Sequence, residues 1–502
     1  MESVVDRTAS ASEYPRKSKF RDIHSFMLND YFEKLNELND KLFHGAHRAS
    51  MEFWECLESG QPFKEAVRKN HHDIKQQFRV GEATEQLDPI CRFIEAALGE
   101  KLTITREMLT VTLCYHQILP CFLDFLFPFA RDLYASDSHF GGLRSHTRFS
   151  AEDRGLRIPN RGWSGFDIKI CYNLKSVGHD KAMGPRAWPW FTGQSAVHHS
   201  FDIETGQTSW IVVTGDQQLR HRIKSATGDQ AVSGRSFCDR EQAFVSTLAV
   251  HLILCEWSGQ TWRWYINFLD KKIQSSTKSA VSSLLENPPS HPDELGRGDV
   301  RQRHGRQRNH NVQEVMGSSS ALPSVEYRAT SDTGFSFSDL QGAYAVEEIV
   351  NNANLLLKVN HDVLAELREA YKYFERCPGW PLSLSENCRE ILIRFDKRIA
   401  RIQYEIATEQ SRVEKLLRLI ADRKSLINGI LDQQNIQLGK QQAEQAQRSA
   451  WRMEEMTSAM QDLTRDMDNI ARETREETTS MRIMALIALL YLPGTFASVR
   501  HI

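Results

Sequence analysis

Two imidazoles and two carboxylates, His198, His199, Asp202 and Glu204, lie within one short run, AVHHSFDIE (196–204). These side-chain types bind divalent metal ions. On a strand, successive side chains alternate between faces, so His198, Ser200, Asp202 and Glu204 would share one face. Metal centres usually take ligands from more than one element, so the expectation for this run is a solvent-facing strand edge. Met453, Met456, Met460 and Met467 could serve as thioether ligands, but with Leu463 and Ile470 they recur at spacings of 3-4-3-4-3. That 3.5-residue period is the pattern of a helix packed against a partner helix. The nine cysteines include no C-x-x-C pair and no zinc spacing. No G-x-S-x-G, Walker A or G-x-G-x-x-G motif occurs. An enzyme is not expected, and neither is a bound organic cofactor.

The elements that must carry these residues follow from composition and pattern. A chain of 502 residues that is 40% hydrophobic exceeds one domain and can bury a core. A net charge of −2 argues against nucleic acid as the partner of the whole protein. Scattered cysteines without a disulfide framework point to a reducing compartment for the bulk of the chain. The first 19 residues lack an apolar core, so they read as a disordered N-terminus and not as a secretory signal. Residues 20–110, including the charged stretch Phe63–Val80, read as helical. Ile118–Ala130 is apolar but too short to span a bilayer and reads as buried core.

From residue 163 the pattern changes. Ile168, Ile170 and Tyr172 alternate with polar residues, and two β-rich runs, 196–204 and 209–215, flank a turn in which Gly206 supplies a positive φ. Helices are expected at about 239–256 and 260–279, which makes 20–285 an α+β domain. Residues 286–334, with five arginines between Arg297 and Arg308, form a basic linker. Acidic lipid or RNA could meet it, but a solvated loop is the expectation. A helical stalk occupies 335–480. Ser338 with Gln341 and Ser383 with Glu386 have the spacing of capping boxes. Phe395, Ile399, Ile402, Ile406, Val413, Leu416 and Ile420 form a first apolar stripe, the methionines a second, and Gly439 is the expected bend between them.

Residues 481–502 are strongly apolar. Ile483–Val499 is 17 residues without a charge, the short limit for a membrane-spanning helix of about 17–25 residues. Arg472, Arg475 and Arg482 precede it and only Arg500 follows, which favours a cytosolic stalk. Pro493-Gly494 inside the run suits a membrane helix better than a soluble one.

The order Met481-Arg482-x-Met484, apolar run, Pro493-Gly494-Thr495-Phe496 resembles the first transmembrane helix of CorA-type magnesium channels, which typically starts Met-Lys-x-Leu and carries Pro-x-Thr-Phe near its far end. The stretches ICYNLKSV (170–177), AVHHSFDIETGQTSWIVVTG (196–215), HLILCEWSGQTWRWYINFLD (251–270), FSFSDLQ (335–341) and ADRKSLINGILDQQN (421–435) resemble the CorA-like proteins of filamentous fungi. The resemblance implies a membrane protein with most of its mass in the cytosol, assembled as a homopentamer. Mg²⁺ would be its transported or regulatory ion. It places Met481 and Met484 at an apolar gate, Thr495 deeper in the pore, and Pro493, Gly494 and Phe496 in the transmembrane motif. The family's Gly-Met-Asn motif and second transmembrane helix would follow Ile502. On that comparison the sequence is expected to be truncated within the first transmembrane helix and not to conduct by itself. The alternative expectation is a soluble or peripheral oligomeric scaffold derived from the cytosolic domain.

Overall fold

The computed structural model describes residues 8–17, 23–58, 61–80, 87–97, 101–131, 137, 139–180, 188–227, 237, 239–286 and 337–498. It divides into two compact units, residues 1–281 with 337–423 and residues 282–336 with 424–502. The expected α+β class is observed.

The first unit is built on one seven-stranded sheet. Its strands are β1 (Met51–Cys56), β2 (Lys64–Arg68), β3 (Cys91–Ala97), β4 (Leu143–Thr147), β5 (Asp167–His179), β6 (Trp190–Asp202) and β7 (Thr208–Thr214). Their order is β2-β1-β3-β7-β6-β5-β4. The β3–β7 pair is parallel and the other neighbours are antiparallel. Besides the single turn Asn39–Leu42, the α-helices among the described residues are α1 (Ser25–Glu37), α2 (His71–Gln77), α3 (Arg106–Tyr115), α4 (Phe122–Leu126), α5 (Gln217–Thr227), α6 (Arg240–Gly259), α7 (Trp262–Glu286), α8 (Phe337–Arg376), α9 (Leu382–Asn387) and α10 (Arg389–Ser498). Side-chain caps start several of them. Thr105 accepts from the Met108 N–H at α3, and Asp239 accepts from the Gln242 N–H at α6.

Period-two alternation gives the sheet two apolar faces. Phe53, Ile94, Cys171, Ala196, Ile211 and Val213 pack with α1 to α4. Trp54, Phe93, Ile170, Tyr172, Val197, Phe201 and Trp210 pack with α5 to α8 and the start of α10. Both faces are covered, so the long strands β5 and β6 are buried along much of their length. The β6–β7 turn is as expected, with Gly206 at φ +77°. A Cβ there would lie 2.7 Å from Arg240 Cα, so glycine is required twice over.

The helical expectation for 20–110 fails at three strands. MEFWEC buries its aromatics against both cores, where packing overrides the local preference. KEAVR becomes the sheet's outer strand, paired only with β1. Its exposed Lys64 and Glu65 suit an edge, where charge discourages pairing with a further chain. Residues 8–17, expected to be disordered, instead bury Ala11 and Tyr14, and the Tyr14 hydroxyl donates to the Ile118 carbonyl. The Ile118–Ala130 segment is core, as expected. The Ser383 capping box does not form: α9 has no side-chain cap, and the Ser383 hydroxyl accepts from Arg240.

Helix α8 secures the far edge of the sheet. Strand β4 covers β5 only from Ile168 to Tyr172. Beyond it, the fully buried Asn360 accepts from the Lys175 N–H at 2.9 Å and donates to the Lys175 carbonyl at 2.7 Å. One side-chain amide thereby stands in for the missing strand. Burial of Val350, Leu357, Leu364, Leu367 and Phe374 is worth roughly 1.5–3 kcal/mol apiece. The half-exposed Arg368–Asp396 pair at 2.8 Å adds about 1 kcal/mol at most. The apolar stripe therefore holds α8 in place.

In the second unit, α10 continues as helix through Gly439, and its backbone stays helical past Pro493-Gly494 to Ser498. The basic stretch beyond Glu286 lies outside the described residues, as do the side chains after Leu490. Among the described residues, no helix is long and apolar enough to cross a membrane.

Candidate functional site

The run with two histidines and two carboxylates is not a solvent-facing edge. Strand β6 lies between β7 and β5, and both histidines are fully buried. His199 stacks on Trp210 with ring centroids 4.1 Å apart and contacts Thr208 Oγ1 through Nε2 at 3.2 Å. His198, on the opposite face, meets Phe122 edge-on, and neither of its ring nitrogens has a hydrogen-bond partner. Burial holds both rings well below the ordinary histidine pKa, so they are neutral core groups. Asp202 organises the β6–β7 turn: its carboxylate accepts from the Ser164 hydroxyl and the backbone N–H groups of Ser164, Glu204 and Thr205. Glu204 faces Arg154 at 4.0 Å near the surface. Among the described residues, no group of three or more His, Cys, Asp or Glu could hold a metal ion.

A buried ionic cluster sits beside this turn, and nothing in the sequence pointed to it. Arg92 of β3 donates to Glu55 of β1 at 2.5 Å, and Gln77 of α2 donates to the other Glu55 oxygen at 2.7 Å. Burial works against the Arg92 charge, but Glu55 and Asp88 outweigh it and hold the guanidinium pKa above its usual value. Lys169 of β5, also buried, donates to the carbonyls of His116 and Gln117 at 3.0 and 2.9 Å. These carbonyls close the C-terminus of α3, where the helix dipole favours a cation. Gln117 sits at φ +52°. Its neighbour Ile118 returns an N–H to Leu113, the contact that ends a helix in a Schellman turn. Glycine would relieve the backbone, but the Gln117 side chain also accepts from Arg148. Arg92, His116, Gln117, Arg148 and Lys169 line a cavity of about 60 Å³, room for a few water-sized groups. Asp167 borders it with one carboxylate oxygen, Oδ1, that has no partner. The cluster's members come from residues 55 to 169 on different elements, so no local motif announces it.

A second cleft, of about 770 Å³, lies between the β5–β6 hairpin and α8 and is lined by Lys175, Phe191, Gln194, Asn352 and Leu355. Lys175 donates to Gln194 Oε1 at 2.7 Å, and burial brings its amine pKa down to about 8.

The other sequence candidates all lie on α10. Its first stripe, Phe395 to Ile420, is buried in the first unit. Its second is exposed within this chain: Met453 is 66% and Met460 68% accessible, and Met481 and Met484 are 71% and 68%. Because the helix is continuous, its register carries through. Met481 and Met484 lie 28 residues beyond Met453 and Met456 (481 − 453 and 484 − 456). Thr495 lies 28 residues beyond Met467 (495 − 467). Four heptads separate each pair, so all three positions continue the methionine stripe. The side chains of Pro493, Gly494, Thr495 and Phe496 are outside the described residues.

A family model described as CorA-like transporters matches residues 6–281. That range contains all seven strands of the sheet. No curated protein matches the chain.

Proposed function

The chain belongs to the CorA-like transporter family, and from that premise we propose that it is a membrane protein related to divalent-cation channels. The sheet unit is its cytosolic part, and α10 is its stalk and route to the membrane. Copies of α10 associate along the second stripe, as a pentamer on the family's pattern. Met481 and Met484 then ring the cytosolic mouth, with Thr495 further in and Pro493, Gly494 and Phe496 in the same membrane segment. Mg²⁺ is the ion this reading assigns. A ring of thioethers can gate by excluding water, and a ring of hydroxyls can meet a hydrated ion. Magnesium sheds its water reluctantly, so such a pore would carry it largely hydrated.

The observation that carries the reading is the shared register. Met453 to Ile470 form an apolar stripe on one unbroken helix, and after Thr474 and Glu477 the same heptad positions hold Met481, Met484 and Thr495. Alkaline carbonate extraction of membranes from expressing cells tests the placement. The chain is expected to stay in the pellet, and Leu489→Glu with Leu490→Glu to release most of it. Complete solubility of the unsubstituted chain would sink the membrane reading and support the oligomeric scaffold instead. Growth of a strain lacking its own magnesium uptake reads conduction separately.

A further inference from the structure

Cys121 and Cys171 are 50 residues apart in sequence, yet their sulfur atoms lie 3.9 Å apart. Cys121 immediately precedes α4 and is partly exposed, whereas Cys171 is buried within β5. We propose that this pair is an oxidative modification site, at which a peroxide converts the two thiols to an intramolecular disulfide.

The geometry separates the roles. The more accessible thiol is the one a peroxide can reach, and the buried thiol waits beside it to resolve the product. The hydrogen bond from Cys171 holds the Cys121 thiol below its ordinary pKa, which favours the nucleophilic thiolate. Burial pushes Cys171 well above its own. In the first step the Cys121 thiolate attacks one peroxide oxygen. An S–O bond forms, the O–O bond breaks, and hydroxide leaves. In the second, Cys171 gives its proton to that hydroxide, making water, and its thiolate attacks the Cys121 sulfur. An S–S bond forms, the S–O bond breaks, and the departing hydroxide takes up a solvent proton. Two thiols and one peroxide yield one disulfide and two waters.

A disulfide needs its sulfurs about 2.05 Å apart, so the pair must close by roughly 2 Å. The segment that can yield is the connection 116–121 between α3 and α4, which is not part of either helix. The same connection presents the His116 and Gln117 carbonyls to Lys169. Oxidation would thus pull on the buried ionic cluster. Cys56 and Cys91 also face each other across β1 and β3, but the Cys56 thiol points to the carbonyls of Glu58 and Gln61.

The test treats the full chain, purified in detergent, with hydrogen peroxide, blocks remaining thiols with N-ethylmaleimide and maps cross-links by mass spectrometry. A Cys121–Cys171 peptide within one chain is expected, with titratable thiols in denaturant falling by two from the nine of the sequence. Cys121→Ser should lose none of its remaining thiols to disulfide. Cys171→Ser should accumulate a Cys121 sulfenic acid that dimedone traps. Retention of all nine thiols, a Cys56–Cys91 link, or a disulfide between copies would each overturn the assignment. The cross-link map of the unsubstituted chain decides the matter even if a variant fails to fold.

Discussion

At the residue scale, two buried cations are held in opposite ways. Arg92 has a carboxylate at hydrogen-bond distance, so Arg92→Met would leave Glu55 charged and buried with only Gln77 beside it. Breaking a buried pair from one side costs about 3–5 kcal/mol, and a fall of that size is expected in the urea unfolding free energy of the sheet unit. Adding Glu55→Gln should recover much of it. Lys175 has no carboxylate within ion-pair distance among the described residues; its acceptor is the Gln194 amide. Its pKa falls from 10.5 to about 8 on folding. Between those values the unfolded chain holds a proton that the native protein lacks, so stability rises with pH across the window and is lost as pH falls through 8. Relative to Lys175→Met, the wild type is expected to gain about 3 kcal/mol between pH 8 and 10.5. Denaturant titrations of both proteins at several pH values would show it, and a pH-independent difference would refute it. Asp202 and His198, close along the chain, were expected on a solvent-facing strand edge, yet one braces a turn and the other packs against Phe122. Arg92, Glu55 and Lys169 meet only through strand order, which periodicity does not encode.

At the element scale, the apolar stripes of α8 and α10 were legible because a helical period survives on one face over many turns. The strands β1 to β3 were not. They mix charged, aromatic and aliphatic residues without strict alternation, and sheet neighbours far along the chain decide their state. The register of α10 carries a geometric demand. A straight α-helix drifts about 20° per heptad from a 3.5-residue repeat. Over the four heptads from Met453 to Met481 the stripe would wander about 80° around an uncoiled rod. In the proposed assembly, left-handed supercoiling with further copies would keep the methionines and Met484 on one seam. Met460→Glu is therefore expected to dissociate the assembly, read by light scattering in detergent. Ser458→Glu, on the outward side of the same heptad, should leave it intact. Equal effects of both would remove the seam.

At the scale of the whole molecule, the family match and the compact unit differ in extent. The match ends at residue 281, whereas the unit draws in Phe337–Arg423. The reason is that α8 and the start of α10 complete the core on one sheet face. Asn360 shows what that late-coming helix supplies besides apolar surface. While α8 is absent, as it is early in synthesis, β5 offers the bare N–H and carbonyl of Lys175 along an uncovered rim flanked by Leu174 and Val177. Such a rim is a template on which another chain can add a strand. By occupying those two groups with a single amide, α8 closes the rim and ends the interval in which another chain could add a strand to it.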